Sequence, residues 1–283
     1  KKLQESKMKK NFSFLYLLPQ LFFTGLFLLA LFLGLWDSFT VEGHASIAHY
    51  KEIFTRGDTL PSIFYTLRIS FLSSLFTLLL AILCSFLILH FSENWDSLKS
   101  ILQLAIIMPH SLVALFLLFF LSQNGFMARI FYALKLISDQ SAFPEFVYDR
   151  FGVGVILGYI WKELPFMLFF ALPLAYSVDG KLGEAARTMG ASPLYSFFFI
   201  TLPLSIRQYL AAFFIIFSFS FGSFDLPYLL GNTTERALSV LAYQELQRGF
   251  MNRPTALSYN GIMLLFSLLL SFFYFRFLPK KKG

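Results

Sequence analysis

Cysteine is all but missing from this chain of 283 residues. The single one, Cys84, sits in an apolar run and reads as a small buried hydrophobe. Neither a disulfide framework nor a cysteine metal site can therefore form within one chain. Charge is scarce too. Only 14% of residues are Asp, Glu, Lys or Arg, against about 25% in a soluble domain, and mean hydropathy is +0.67, a balance that describes a membrane protein. No glycine-rich string ends in Lys-Ser or Lys-Thr, so the chain is not expected to be an ATPase. With no nucleophile elbow and no Cys/His arrangement, no catalytic residue and no enzyme is expected. His44, His49, His90 and His110 are dispersed without metal-ligand spacing, which leaves no expected metal site. Gly/Ser linkers and internal repeats are absent as well.

What is present is a series of long apolar windows. A membrane-crossing helix needs about 20 such residues, and the windows Phe12 to Trp36, Ile69 to His90, Ile101 to Ser122, Gly152 to Val178, Gln208 to Gly231 and Tyr259 to Leu278 qualify. Each must be helical, because backbone amides facing lipid are satisfied only within a helix or a closed barrel, and barrel strands alternate in polarity. The first window exceeds the roughly 7 to 15 residues of a signal-peptide core and reads as a retained span. The expectation is an all-α polytopic membrane protein with six transmembrane helices. Residues 1–11 form a cytoplasmic N-terminus, 12–278 the six-span domain, and 279–283 a basic cytoplasmic tail.

Lys and Arg placement orients the spans. With the N-terminus in the cytoplasm, the inner segments hold Lys1, Lys2, Lys7, Lys9, Lys10, Lys99, Lys181, Arg187, Arg207, Arg276, Lys280, Lys281 and Lys282, against Glu5, Glu93, Asp96, Asp179 and Glu184. The outer loops are nearly balanced. The formal charge of +7 is thus a topology signal, which removes the case for a nucleic-acid partner. Both termini are expected in the cytoplasm, in a multi-pass protein of the cell membrane.

The same count puts residues 179–207, between spans four and five, on the cytoplasmic side. Leu182 to Met189 favours helix, Gly190 can take positive φ at its end, and Ser192-Pro193 reads as N-cap and first residue of a second helix. That second helix is expected to run towards Ile200 and to stop at Leu202-Pro203. Glu184 can pair with a basic partner residue, and small Ala185 and Ala186 permit close approach. The plainer alternative is an amphipathic loop lying on the membrane.

Glu184-Ala185-Ala186, three residues, Gly190, nine residues, then Ile200-Thr201-Leu202-Pro203 resembles the EAA loop of the membrane subunits of binding-protein-dependent ABC importers. In that family the loop forms coupling helices seated in a groove of the ATPase subunit. The resemblance implies a coupling set of Glu184, Ala185, Ala186, Arg187, Gly190, Ala191, Ser192, Ile200, Leu202 and Pro203. It extends over nearly the whole chain. Trp161-Lys162-Glu163-Leu164-Pro165-Phe166 is similar to a stretch in the family's preceding span. Phe221 to Gly231 resembles the fifth span of permeases for polyamines, ferric iron, thiamine and sulfate-like solutes. Ala242-Tyr243-Gln244 with Arg253-Pro254-Thr255-Ala256 is similar to the polyamine-type branch.

Ionisable groups inside spans tend to face a bundle interior or a water-filled cavity. Asp225 either lines a translocation path or pairs at the outer end of span five. Lys162 and Glu163 point about 100° apart on a helix, and at least one should face the bundle. His110 fits a core or a cavity. These four are the candidate path residues. The resemblance implies a permease passing a small solute, polyamine-type favoured, by alternating access, with sugar, thiamine or ferric-iron permeases as alternatives. An ion-coupled secondary transporter would want paired mid-membrane ionisable residues and repeat symmetry. The implied partners are an ABC ATPase dimer, a second permease subunit, an extracellular or lipoprotein binding protein and membrane lipid. ATP and Mg would belong to the ATPase, leaving this chain without a cofactor.

Overall fold

The computed structural model describes residues 16–91 and 95–277. The expected N-terminal segment 1–11, the start of the first window and the tail from Leu278 onward lie outside those residues. The chain divides into two compact units, one of residues up to 56 with 242–261, the other of 57–241 with 262–283. Six described helices are long and apolar enough to cross a membrane.

In the first unit, α1 (Leu18–Ser38) buries only Ser38, so nearly its whole surface is apolar and open to lipid or a partner. Beyond it a two-residue hairpin pairs β1 (Thr40–Val41) with β2 (His44–Ala45). Its turn places both Glu42 and Gly43 at positive φ, the geometry that matches strand twist. The short helix α2 (Ala48–Thr55) follows. Tyr50 stacks on Phe39 at 4.6 Å and its hydroxyl meets Ser38 Oγ at 2.9 Å. Arg253 reaches Asp37 at 3.3 Å, and buried Glu245 accepts from Arg56 at 2.7 Å and from Arg248.

The second unit is built on α3 (Thr59–Phe91), α7 (Val153–Val178) and α10 (Leu202–Gly222), which pack on one another. The buried side of α3 is mostly small and hydroxylic, with Ser62, Thr66, Ser70, Ser73, Ser74, Thr77, Ala81 and Ser85. Small residues let helix backbones approach closely where lipid removes the hydrophobic drive for association. Thr66, Ser73, Ser74 and Ser85 return their hydroxyls to carbonyls four residues earlier. Tyr209 crosses from α10 to donate to Ser85 Oγ at 2.6 Å.

Two expected spans are broken. The window 101–122 is not one helix: α4 (Trp95–Ile107) stops, Pro109 takes an extended backbone, and α5 (His110–Leu121) begins. Proline lacks the N–H and disfavours α conformation in the residue before it, which hydropathy alone does not register. The fifth window behaves alike. After α10, Ser223 turns extended and α11 (Asp225–Leu230) starts afresh. By contrast α7 continues through both Pro165 and Pro173. The third of the six membrane-length stretches is His110–Ala133, in which α5 is followed by α6 (Phe126–Ala133). The last helices, α12 (Leu238–Gln247) and α13 (Arg253–Phe277), each pass from one unit into the other.

Candidate functional site

The stretch with the family spacing holds the two expected short helices, parted by residues 189–192, and each continues into a span as one arm of a helical hairpin. After α7 the chain makes one π-helical turn, Asp179–Gly183, and continues directly into α8 (Glu184–Thr188). Gly190 then adopts φ +95°. Its N–H bonds Arg187 O at 3.0 Å while that of Ala191 bonds Ala186 O at 3.0 Å. This paired closure of a helix end favours glycine at the left-handed position. Ser192 caps the return arm by accepting from the Tyr195 amide at 3.2 Å, with Pro193 as its first residue.

The return arm is α9 (Pro193–Ser196), a second π turn, Phe197–Thr201, and then α10. Leu202-Pro203 was expected to end this helix and does not. Pro203 falls just after the wide turn, where the hydrogen-bond register has already shifted, so its missing N–H is tolerated as at a helix start. Spans four and five thus run without interruption into the two arms.

Within the hairpin the polar interior is fully partnered. Arg187 donates fork-to-fork to Asp179, Nη1 to Oδ1 and Nη2 to Oδ2, both at 3.1 Å. Thr201 Oγ1 donates to Asp179 Oδ1 at 2.9 Å. Ser196 accepts from Arg187 at 3.2 Å and donates to Gly183 O at 3.1 Å. Asp179, Ser196 and Thr201 are buried. A Cβ on Gly183 would lie 2.5 Å from Asp179 Oδ1, so only glycine fits beneath that carboxylate. The outer face carries Glu184 and Ala185, both exposed, with Met189, Leu194 and Phe199 also exposed; Tyr195 stacks on Phe199 at 4.6 Å. Ala186 is buried, and Arg187, Ala191, Ile200 and Leu202 are half-buried. Sequence reasoning placed Arg187 in the set but missed Asp179, Ser196 and Thr201.

A second polar cluster sits at the break in span three. Lys162 and Glu163 on α7 are both buried, at 5% and 8% exposure, so both face the bundle. Lys162 Nζ donates to Ile106 O at 2.9 Å and lies 3.4 Å from Ala105 O, the carbonyls that α4 leaves open at its C-terminus. Glu163 Oε1 meets His110 Nε2 at 2.9 Å, at the first residue of α5. One positive group thus faces the negative end of a half-helix and one carboxylate the positive end of the next, as the helix dipole favours. The His110 ring packs on Phe219 of α10, centroids 5.0 Å apart. The brace divides two apolar clusters on α7, one around Val155 and Tyr159 and the other around Met167 and Ala171.

Asp225 does not join this group. It occupies the first turn of α11, where that helix's own amides favour a carboxylate. Among the described residues no three His, Cys, Asp or Glu side chains are grouped to hold a metal.

Six apolar spans, a broken third span braced by buried charge and a helical hairpin continuing spans four and five define a polytopic membrane transport subunit. Residues 69–283 match the family of binding-protein-dependent transport system inner membrane components, and the chain belongs to that family. It is an ABC importer permease, a multi-pass protein of the cell membrane and a transport subunit rather than an enzyme. The chain is 26% identical over 239 residues to the molybdenum transport system permease protein ModB of Haemophilus influenzae, covering 79% of this chain and 96% of that protein. It is 23% identical over 231 residues to the sulfate transport system permease protein CysT of Salmonella typhimurium, covering 80% and 79% respectively. Its fold is similar to a chain of a bacterial alginate ABC transporter crystallised with an alginate pentasaccharide-bound periplasmic protein, at a TM-score of 0.78 and 21% identity over 97% of this chain and 96% of that one. The polyamine-type cargo finds no support in these relatives.

Proposed function

We propose that this permease passes a small oxyanion across the cell membrane by alternating access, driven through the 184–203 hairpin by a separate ATPase dimer. The observation that carries the coupling part is the continuity of each hairpin arm with a span, so that force on the tip reaches spans four and five through unbroken helix. Exposed Glu184 and the apolar rim of Met189, Leu194 and Phe199 suit a groove on a partner with a basic residue opposite the carboxylate. ATP and Mg belong to that partner. The charge count supports a hairpin and two termini on the cytoplasmic side, and residues 1–11 and 279–283 as cytoplasmic ends of a 12–278 permease domain. A second permease subunit completes the pore, and a loaded binding protein docks on the outer loops.

The oxyanion assignment rests on the molybdenum and sulfate permeases, each related over about four fifths of this chain. Asp225 stands in the first turn of a helix, a position where the helix dipole itself favours its negative charge. Lys162, Glu163 and His110 line the path as its brace. Purification of the complex tests the coupling reading. Glu184→Arg is expected to strip the ATPase subunit from the permease and abolish ATP-driven uptake. Retention of both would overturn it.

A further inference from the structure

His90, at the end of span two, lies against the hairpin, although no part of the family spacing includes it. Its Nδ1–H donates to Phe86 O at 2.9 Å, four residues back on α3, which fixes the tautomer and leaves the Nε2 lone pair outward. Arg187 Nη1, which also donates to Asp179 and Ser196, comes within 3.4 Å of that lone pair as the longest of its three contacts, sharing an N–H. The contact is doubled by rings. Phe86 packs edge-on against Phe197 at 5.4 Å and near Phe198 at 6.4 Å, and the His90 ring stands 6.3 Å from Phe197. Phe197 is fully buried and opens the π turn of the return arm. The end of α3 therefore touches both arms, Arg187 on the outgoing one and Phe197 on the returning one.

We infer that His90 is a positioning residue for coupling, through which the hairpin moves span two together with spans four and five. This rests on the coupling role proposed for the hairpin and extends it to a helix that precedes the hairpin by 88 residues of chain, from Phe91 to Asp179. Alanine at 90 would leave Arg187 bound to Asp179, the hairpin folded and the Phe86–Phe197 contact in place, while removing the polar bond and the imidazole ring. Glutamine preserves an acceptor for Arg187.

Spin labels at Leu87 and Leu194, both exposed, read the link in the complete transporter, with ATP and vanadate added to drive the cycle. In the parent protein the Leu87–Leu194 distance is expected to stay constant when nucleotide is added, because the two sites move as one. In His90→Ala it is expected to become nucleotide-dependent and its distribution to broaden, and His90→Gln is expected to restore the parent behaviour. An unchanged, narrow distance in His90→Ala would overturn the inference alone, provided the Leu194 label still responds to the ATPase subunit. A Leu194 label indifferent to that subunit would overturn the coupling role and the inference with it. Circular dichroism of the His90→Ala complex separates lost linkage from lost fold, since only the former leaves the melting curve in place.

Discussion

Asp179 ties the two arms of the hairpin together from outside the motif itself. Its carboxylate receives two guanidinium N–H groups and a threonine hydroxyl in a buried setting. Removing one partner of such a pair leaves the other charge uncompensated, at about 3–5 kcal/mol when both are buried. Arg187 keeps 24% of its side chain exposed, so about 3 kcal/mol is expected for Asp179→Ala. Thermal melting of the detergent-solubilised complex checks it, and Gly183→Ala should weaken the same contact because its Cβ would press on Asp179 Oδ1. None of this was legible in the sequence. Asp179 and Arg187 are eight apart, and their meeting depends on a π turn between them that no residue pattern announces. Gly190 and Ser192-Pro193 were legible, because positive φ and capping are local demands that particular residue types answer.

Helices were legible where hydropathy and backbone chemistry agree, and not where they part. Span four coincides with its apolar window, and span two begins ten residues before its own, at Thr59, through a start that holds buried Thr59, Ser62 and Thr66. The window 101–122 is uniformly apolar, yet Pro109 splits it; apolarity reports the solvent a segment tolerates, not whether its hydrogen-bond ladder is continuous. Pro165 and Pro173 fail to split α7, so proline alone is not decisive either. The difference at Pro109 is that Lys162 stands ready to receive the carbonyls set free. Lys162→Met is therefore expected to loosen α4 at its C-terminal end. A hydrogen bond to a charged group contributes about 1.5–3 kcal/mol, so amide exchange over 104–111 should accelerate by roughly tenfold or more. Hydrogen exchange followed by mass spectrometry measures this, with Lys162→Arg expected to hold the parent rate.

That the chain crosses a membrane was legible in its apolar windows taken together, and the basic excess in alternate loops supports the orientation proposed above. Cargo was not. Short matches at Ala242-Tyr243-Gln244 and Arg253-Pro254-Thr255-Ala256 suggested polyamines, whereas the relatives that share about four fifths of the chain carry molybdenum and sulfate in their names. Of the residues that carried the suggestion, Arg253 pairs with Asp37. Isothermal titration of the binding protein that serves this permease is expected to release heat with molybdate or sulfate and none with spermidine. Heat with spermidine alone would return the cargo to the polyamine class.

The unbroken run from Val153 to Thr188 has the form of a lever. If the brace at Lys162-Glu163 is its fulcrum, the arm toward the hairpin tip is about 38 Å long and the arm toward the far end about 15 Å, at 1.5 Å per residue. A tip displacement of about 5 Å then becomes about 2 Å at the opposite end, with a matching gain in force. The motion proposed for the tip would thus reach the far end of the span as a small, firm shift.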